Sequence, residues 1–430
     1  MENIDSINNV AVIGSGIMGS GIAQVALLGG YQKVTLNDVS KDVLKKARNA
    51  ILEGIQSLDT EEKFNELIIN DTVMQDVMKK SSFKDLRNSV KSVGILAKNY
   101  TIDEIMNRLV CEINLKKSVC DSDFIIEAIP ENLDLKLKVF KQLSNYSPSH
   151  AILASNTSTM SPTILGSVTD RPENVIGMHF HGSFPMKGIL IEITGGEKTT
   201  EETIQLGFRV AGSFPSIAGE RFILRLEKET PGFVANRLTL ARAVQLNWIL
   251  DQAIERGITI DQLLAGGLNL IGLDIVGLDT IYYTWKYLEE YLHPDFAPGE
   301  VITKLFKSGN LGRKTGKGFF NWDENGPIIK EKIVDDKTKD FLKENRNREL
   351  GMAIRMNEGC RLIEDGVIKG YGIINRIDSE ADHRRVNTFE LGKEKYKEWS
   401  KILKTTAQRL GRCYLKPCNL MKSGNFLNFP

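Results

Sequence analysis

Over its first half the chain alternates short apolar runs with amphipathic stretches. Asn9-Val-Ala-Val-Ile13 is apolar after its first residue and closes on a glycine cluster, the pattern of a strand buried on both faces. Helical periodicity follows over residues 14–26, and Lys33-Val-Thr-Leu-Asn-Asp38 predicts a second strand that ends in an acid. Residues 40–57 predict the next helix, with Ser40 as its N-cap. This is a βαβ unit at the start of the chain. Four more buried strands are predicted over 123–129, 151–156, 174–180 and 188–193, while 58–118 is charged and reads as mostly helical. From Thr230 onward only helical periods occur, over 231–256, 260–268, 280–291 and 393–410.

The expected fold class is an α/β, Rossmann-type doubly wound domain followed by all-α C-terminal domains, with the junction near Glu229-Thr-Pro. A weak repeat subdivides the helical half. Ala243-Val-Gln-Leu-Asn247 recurs as Ala353-Ile-Arg-Met-Asn357, and Glu255-Arg-Gly257 recurs as Glu364-Asp-Gly366 at nearly the same spacing. The expected units are 1–228, 229–328 and 329–430, and 430 residues exceed what one compact core usually holds.

Charge excludes some partners. Lys and Arg number 56 against 55 acids, so no global field favours nucleic acid or an anionic membrane, and neither is expected as a partner. The excess of eight positive charges from residue 383 to the end is read as the solvated face of a charged helix, with no interleaved aromatic platform for bases. Residues 9–32 are uncharged and long enough to span a bilayer, yet six glycines from Gly14 to Gly30 divide them into strand, turn and helix. No membrane segment is expected, and the N-terminus lacks the basic flank of a secretory signal. Five cysteines without CxxC or metal-finger spacing read as reduced thiols, and a cytoplasmic location is expected.

Gly14-x-Gly16-x-x-Gly19 follows a predicted strand, opens a helix and precedes Asp38 at the end of a second strand. The first glycine permits the tight turn, the second lets backbone approach a pyrophosphate, and the third lets helix and sheet pack closely. The helix N-terminus offers N–H groups and partial positive charge to phosphates. Asp38 can accept from both ribose hydroxyls and would repel a 2′-phosphate, so NAD is the expected cofactor.

Further motifs bring in a resemblance. The opening Gly-Ser-Gly-Ile17-Met18-Gly-Ser-Gly-Ile-Ala, Ile126-Glu-Ala-Ile-Pro-Glu131-Asn132 with Lys136, and Ser155-Asn156-Thr-Ser158 form one group. Gly177-Met-His179-Phe180, Thr230-Pro-Gly-Phe-Val-Ala-Asn236-Arg, Val276-Gly-Leu-Asp-Thr280 and Gly312-Arg-Lys-Thr-Gly-Lys-Gly-Phe-Phe320 complete the set. Together they resemble the L-3-hydroxyacyl-CoA dehydrogenases over most of the chain. That resemblance implies NAD-linked oxidation of the 3-hydroxyl of an acyl-CoA substrate to a ketone, or the reverse. It implies His179 as general acid/base, Glu192 as its paired carboxylate, and Ser158 and Asn236 near the substrate oxygen. For the cofactor it implies Gly14, Gly16, Ile17, Met18, Gly19, Asp38, Glu131, Lys136 and Asn156. Relatives commonly dimerise through the helical domain, and a duplicated helical unit covers that surface within one chain, so monomer and homodimer both stand open.

The chemistry agrees with those residue types. Hydride can leave a carbinol carbon only as its hydroxyl loses a proton, which a histidine can accept near neutral pH. A carboxylate beside it fixes the tautomer and stabilises the imidazolium, and a Ser or Asn donor stabilises charge on the oxygen. Each residue also has an ordinary alternative: His179 as a bonded strand histidine, Glu192 as a solvated strand residue, Asn236 as a helix cap and Ser158 as a turn serine.

One segment departs from the family. After His179-Phe180 the family has Asn-Pro, whereas this chain has His181-Gly-Ser-Phe-Pro185, and thirteen residues separate His179 from Glu192, one more than expected. Either the loop absorbs the extra residue or Glu192 turns to the opposite face. His179 and His181 form a His-x-His pair, but two ligands do not make a metal site, and none is expected. A same-family dehydrogenase of a hydroxy acid without CoA, and an NAD-binding protein without turnover, are the alternative functions.

Overall fold

A computed structural model describes residues 7–58, 100–182, 184–324, 326–328, 334–382 and 384–430, so most of the charged stretch expected at 58–118 lies outside the described residues. Two compact units form: Met1–Thr230 with Arg376–Arg385, and Pro231–Asn375 with Val386–Pro430.

The first unit is built on an eight-stranded sheet comprising β1 (Asn9–Ile13), β2 (Lys33–Asn37), β3 (Leu109–Glu112), β4 (Phe124–Glu127), β5 (Ile152–Ser155), β6 (Val175–Phe180), β7 (Leu190–Gly195) and β8 (Phe222–Arg225). Their order is β3-β2-β1-β4-β5-β6-β7-β8. The strands from β3 to β6 run parallel, β7 turns back antiparallel to β6, and β8 follows β7 in parallel. The helices are α1 (Ile17–Gly29), α2 (Lys41–Gln56), α3 (Ile102–Met106), α4 (Leu115–Val119), α5 (Leu133–Tyr146), α6 (Pro162–Gly166) and α7 (Glu201–Ser213). Ser40 caps α2 by accepting from Val43 N–H.

Strand side chains alternate between faces, and here both faces are covered. Val10, Val12, Val34, Leu36 and Ile126 pack with Ile22, Val25, Leu44 and Ile51 on one side. Ala11, Ile13, Ile125, Leu153 and Val175 pack with Phe140, Leu143 and Leu165 on the other. Double burial explains why these strands read as continuous apolar runs. It also explains the two that escaped detection. At the sheet edges, β3 buries only Leu109 fully and β8 alternates buried with half-buried residues. The described part of 58–118 is therefore a mixture of two short helices and a strand, not mostly helix.

The second unit is almost wholly helical. The single helix expected at 231–256 is two, α8 (Ala235–Leu240) and α9 (Ala243–Glu255). Its start is delayed because Gly232 and Phe233 take φ of 83° and 48°, outside the helical region. Ala241 and Arg242 keep right-handed helical dihedrals, so the break is a pause in the hydrogen-bond ladder and not a turn. Later come α10 (Arg348–Glu364) and α11 (Thr388–Leu410). No helix among the described residues is long and apolar enough to cross a membrane, and 9–32 divides into β1, a turn and α1.

Buried polar groups organise this unit. Asn247 on α9 donates to Ala297 O at 3.1 Å and accepts from Gly299 N at 3.2 Å, bracketing Pro298. Asn357 on α10 does the same around Pro417, donating to Lys416 O at 3.0 Å and accepting from Cys418 N at 2.8 Å. Asp274, fully buried, accepts from Phe319 N, Phe320 N and Trp322 Nε1 at 2.9–3.0 Å. Its carboxylate explains a motif glycine, because a Cβ at Gly318 would lie 2.3 Å from Asp274 Oδ1. Arg237 on α8 pairs with Glu358 on α10 at 2.5 Å, both side chains under 3% exposed, and Tyr414 Oη donates to the same carboxylate.

Breaking a buried pair strands the surviving charge, whereas removing both charges does not. Arg237→Met is expected to cost about 3–5 kcal/mol, read as a lowered urea midpoint, and adding Glu358→Met should recover most of that loss.

Candidate active site

The turn after β1 is built by glycines with different duties. Gly14 has φ of 99°, and a Cβ there would lie 2.6 Å from Ala128 O. A Cβ on Gly19 would lie 1.8 Å from Gly14 O, so its missing side chain is a packing requirement. At Gly16 a Cβ would meet nothing within 4 Å. Gly16 is the N-cap of α1 and makes no side-chain cap bond. Ile17, the next residue, is 65% exposed, while Met18 packs at the edge of the core. Asp38 follows β2, and its Oδ2 accepts from Ser15 N at 2.9 Å and Ser15 Oγ at 2.8 Å. A helix N-terminus without a side-chain cap, open space at Gly16 and a carboxylate tied to the same loop fit a dinucleotide bearing a free ribose 2′-hydroxyl.

A buried charge cluster supports the next loop. Lys136 on α5 and Glu127 at the end of β4 pair at 2.6 Å with about 1% exposure or less, and Glu131 Oε2 lies 3.3 Å from the same ammonium. Glu131 Oε1 accepts from Thr157 Oγ1 at 2.6 Å, Ser158 N at 3.0 Å and Thr159 Oγ1 at 3.1 Å. Glu127 Oε2 accepts from Ser155 Oγ at 2.6 Å. Burial opposes ionisation of Glu131, but the Lys136 charge and those bonds outweigh it and hold its carboxyl below the ordinary range. For Lys136 burial is likewise outweighed, by Glu127 and Glu131, and its pKa is raised. The contribution of Glu131 to stability is thus present above the ordinary carboxylate range and is lost as pH falls through its lowered value. Glu131 and Lys136 thereby fix the loop that carries Ser158. Asn156 in that loop accepts from Phe180 N at 3.0 Å, joining it to the residue after His179.

His179 on β6 and Glu192 on β7 are directly opposed in the antiparallel register. His179 Nδ1 lies 2.8 Å from Glu192 Oε2, with the imidazole 6% exposed and the carboxylate fully buried. Across the thirteen-residue interval Glu192 thus keeps the face of His179. Arg221 secures the loop between the strands. Its guanidinium donates to Phe214 O at 2.9 Å, Pro185 O at 2.7 Å, Pro215 O at 2.6 Å and Gly188 O. Burial pushes its pKa down to about 9, and it remains charged at neutral pH.

His181 Nε2 lies 3.1 Å from Asp382 Oδ1, and among the described residues no group of three His, Cys, Asp or Glu is arranged to hold a metal. Asn236 belongs to the second unit, as the second residue of α8, whose N-cap is Val234. It is therefore inside the helix and not its cap.

Sequence reasoning missed Ser15, Glu127, Thr157, Thr159, Arg221 and Asp382. A lone acid inside the apolar run Phe124-Ile-Ile-Glu127 was the one available signal, since a buried carboxylate demands a partner.

Comparison with known proteins places these residues in a family context. The model for the NAD binding domain of 3-hydroxyacyl-CoA dehydrogenase matches residues 9–95 and 74–215, and that for the C-terminal domain matches 232–322. A probable 3-hydroxybutyryl-CoA dehydrogenase of Bacillus subtilis is 31% identical over 324 residues, covering 74% of this chain and 98% of its own. The mitochondrial hydroxyacyl-coenzyme A dehydrogenase of Mus musculus is also 31% identical, covering 74% and 91%. Among solved structures, 3-hydroxybutyryl-CoA dehydrogenase from Escherichia coli K12 shares the fold over 98% of this chain and 99% of its own, with TM-score 0.67 and 19% identity. The (S)-3-hydroxybutyryl-CoA dehydrogenase of Ralstonia eutropha covers 74% and 100%, with TM-score 0.52 and 26% identity.

The glycine geometry separates binding from folding. Gly16→Val projects into open space and should leave the melting temperature near wild type while lowering NADH affinity at least about tenfold by fluorescence titration, one obstructed phosphate contact being worth roughly that. Gly19→Val meets backbone and should lower the melting temperature outright.

Proposed function

The chain belongs to the family of NAD-dependent 3-hydroxyacyl-CoA dehydrogenases, oxidoreductases acting on CH–OH, and from that premise we propose that His179 is its general acid/base and Glu192 the carboxylate that serves it. The observation that carries this reading is the 2.8 Å contact between His179 Nδ1 and Glu192 Oε2 in a buried register pair. With Nδ1 directed at Glu192, Nε2 is the atom that takes the proton from the 3-hydroxyl of an acyl-CoA substrate during oxidation and returns it during reduction. Glu192 holds the tautomer and offsets the positive charge that develops on the ring.

Bound NAD supplies the hydride acceptor, and in the reverse direction the donor, at its nicotinamide ring. Gly14, Gly16, Ile17, Met18 and Gly19 would hold its pyrophosphate at the start of α1, and Asp38 would accept from the ribose hydroxyls. Glu131 and Lys136 act by fixing the loop after β5, from which Asn156 and Ser158 would face the reaction. Ser158 would donate to the substrate oxygen as charge builds on it.

The segments 229–328 and 329–430 are proposed as related helical units, since Asn247 and Asn357 bracket an X-Pro-X turn with the same pair of bonds.

The test is NADH oxidation with acetoacetyl-CoA. His179→Ala should lower kcat by about 10²–10⁴, the usual worth of a positioned acid/base, and Glu192→Gln by roughly 10²-fold or more because it permits the wrong tautomer. Free acetoacetate should be turned over far more slowly; equal rates would move the assignment to a hydroxy acid without CoA. NADH binding with turnover of neither would favour a binding-only protein.

A further inference from the structure

Residues Arg376–Arg385 belong by sequence to the C-terminal part of the chain, beyond the 232–322 match, yet they pack as part of the first unit. The segment is compact. Residues Ile377–Ala381 form one π-helical turn, a form common at functional positions. Ile377 and Asp378 are fully buried. Arg384 N donates to Asp378 O at 2.7 Å, and Arg384 Nε lies 3.4 Å from Asp378 Oδ1 and 3.5 Å from Asp382 Oδ2. Arg376 anchors the other end, its guanidinium 3.9 Å from the centre of the Phe222 ring on β8.

What the segment offers to the sheet is Asp382, whose Oδ1 lies 3.1 Å from His181 Nε2. His181 is two residues beyond His179, so the two side chains leave β6 on the same face. Its backbone N–H donates to Leu190 O at 3.1 Å and extends the β6–β7 ladder by one rung past the His179–Glu192 pair. The two imidazoles meet edge to face, with ring centres 6.2 Å apart and planes at 77°.

We propose that Asp382 is a positioning residue for the dehydrogenase reaction: by fixing His181 it sets the wall against which the His179 ring rests. Glu192 restrains the imidazole at Nδ1, and the ring of His181 lies against it edge to face as a further restraint. His181 itself stands at a strand terminus before Gly182, which has φ of 96°, and its side chain is 20% exposed. Asp382 holds it in one rotamer. The segment Arg376–Arg385 thus lends a group to the reaction through His181. The proposal rests on the reading of His179 as acid/base.

The experiment is steady-state kinetics with acetoacetyl-CoA and NADH on the full chain, for Asp382→Ala, Asp382→Asn, His181→Ala, the Asp382→Ala/His181→Ala double variant, Arg376→Ala and His179→Ala. Asp382→Ala and His181→Ala should each lower kcat about tenfold, because sub-ångström misplacement of a proton-transfer group costs on that order, with KM for NADH unchanged. The double variant should be no slower than the slower single, since both act through one contact. Asp382→Asn keeps an oxygen that accepts from His181 and should retain most of kcat. Arg376→Ala removes an anchor of the segment without touching His181 and should leave kcat alone. Unchanged kcat in Asp382→Ala, multiplying losses in the double variant, or an equal loss in Arg376→Ala would each overturn the proposal. Should Asp382→Ala fail to fold, the His181→Ala and Asp382→Asn results decide alone. Turnover that survives in His179→Ala would instead remove the acid/base reading, an outcome separable from any result at Asp382.

Discussion

The antiparallel register of β6 and β7 is the constraint on which the candidate site depends. Glu192 is fully buried, and a carboxylate in that position is tolerable only with a partner. The register supplies His179, and a slip by one residue would turn Glu192 to the opposite face and strand both groups. Described groups in and around the connecting loop hold that register. Arg221 collects four backbone carbonyls, two of them within the loop itself. Gly188 leaves room where a Cβ would lie 2.6 Å from His181 O.

A second restraint works through charge. Glu127, Lys136 and Glu131 are buried together between β4 and α5, and Glu127 reaches forward to Ser155 at the end of β5 while Glu131 reaches the loop after it. Two acids around one base leave a net negative centre, which the hydroxyls of Ser155, Thr157 and Thr159 and the backbone of Ser158 help to solvate. A loop that solvates a buried charge is held in one conformation, because any movement would uncover the charge. Asn156 then passes that order to β6 through its bond to Phe180 N.

Much of the fold was legible because doubly buried strands announce themselves as unbroken apolar runs. The strands β1, β4, β5, β6 and β7 read this way, β2 reads as a strand ending in an acid, and the edge strands β3 and β8, with partial burial, do not. The split between α8 and α9 left no local signal, since the backbone there stays helical. In the site, residues tied to a motif or to a resemblance were nameable in advance. Those defined by distant partners were not: His181 and Asp382 are 201 residues apart, and no period or spacing links them. Arg221 was invisible for a related reason, because its partners are carbonyls, which every residue carries.

The matched brackets around Pro298 and Pro417 bear on how such a molecule drifts over generations. Apolar neighbours in a core can exchange for one another at little cost provided volume is kept. An asparagine that serves one carbonyl and one N–H across a proline has no substitute of equal shape that both donates and accepts, and losing it leaves backbone groups stranded. Divergence would therefore erase the leucines and valines of a copied segment long before its asparagines. Ancestry in the helical half should survive longest as a sparse code of polar letters, found by asking which side chains answer the needs of backbone and not by counting similar residues.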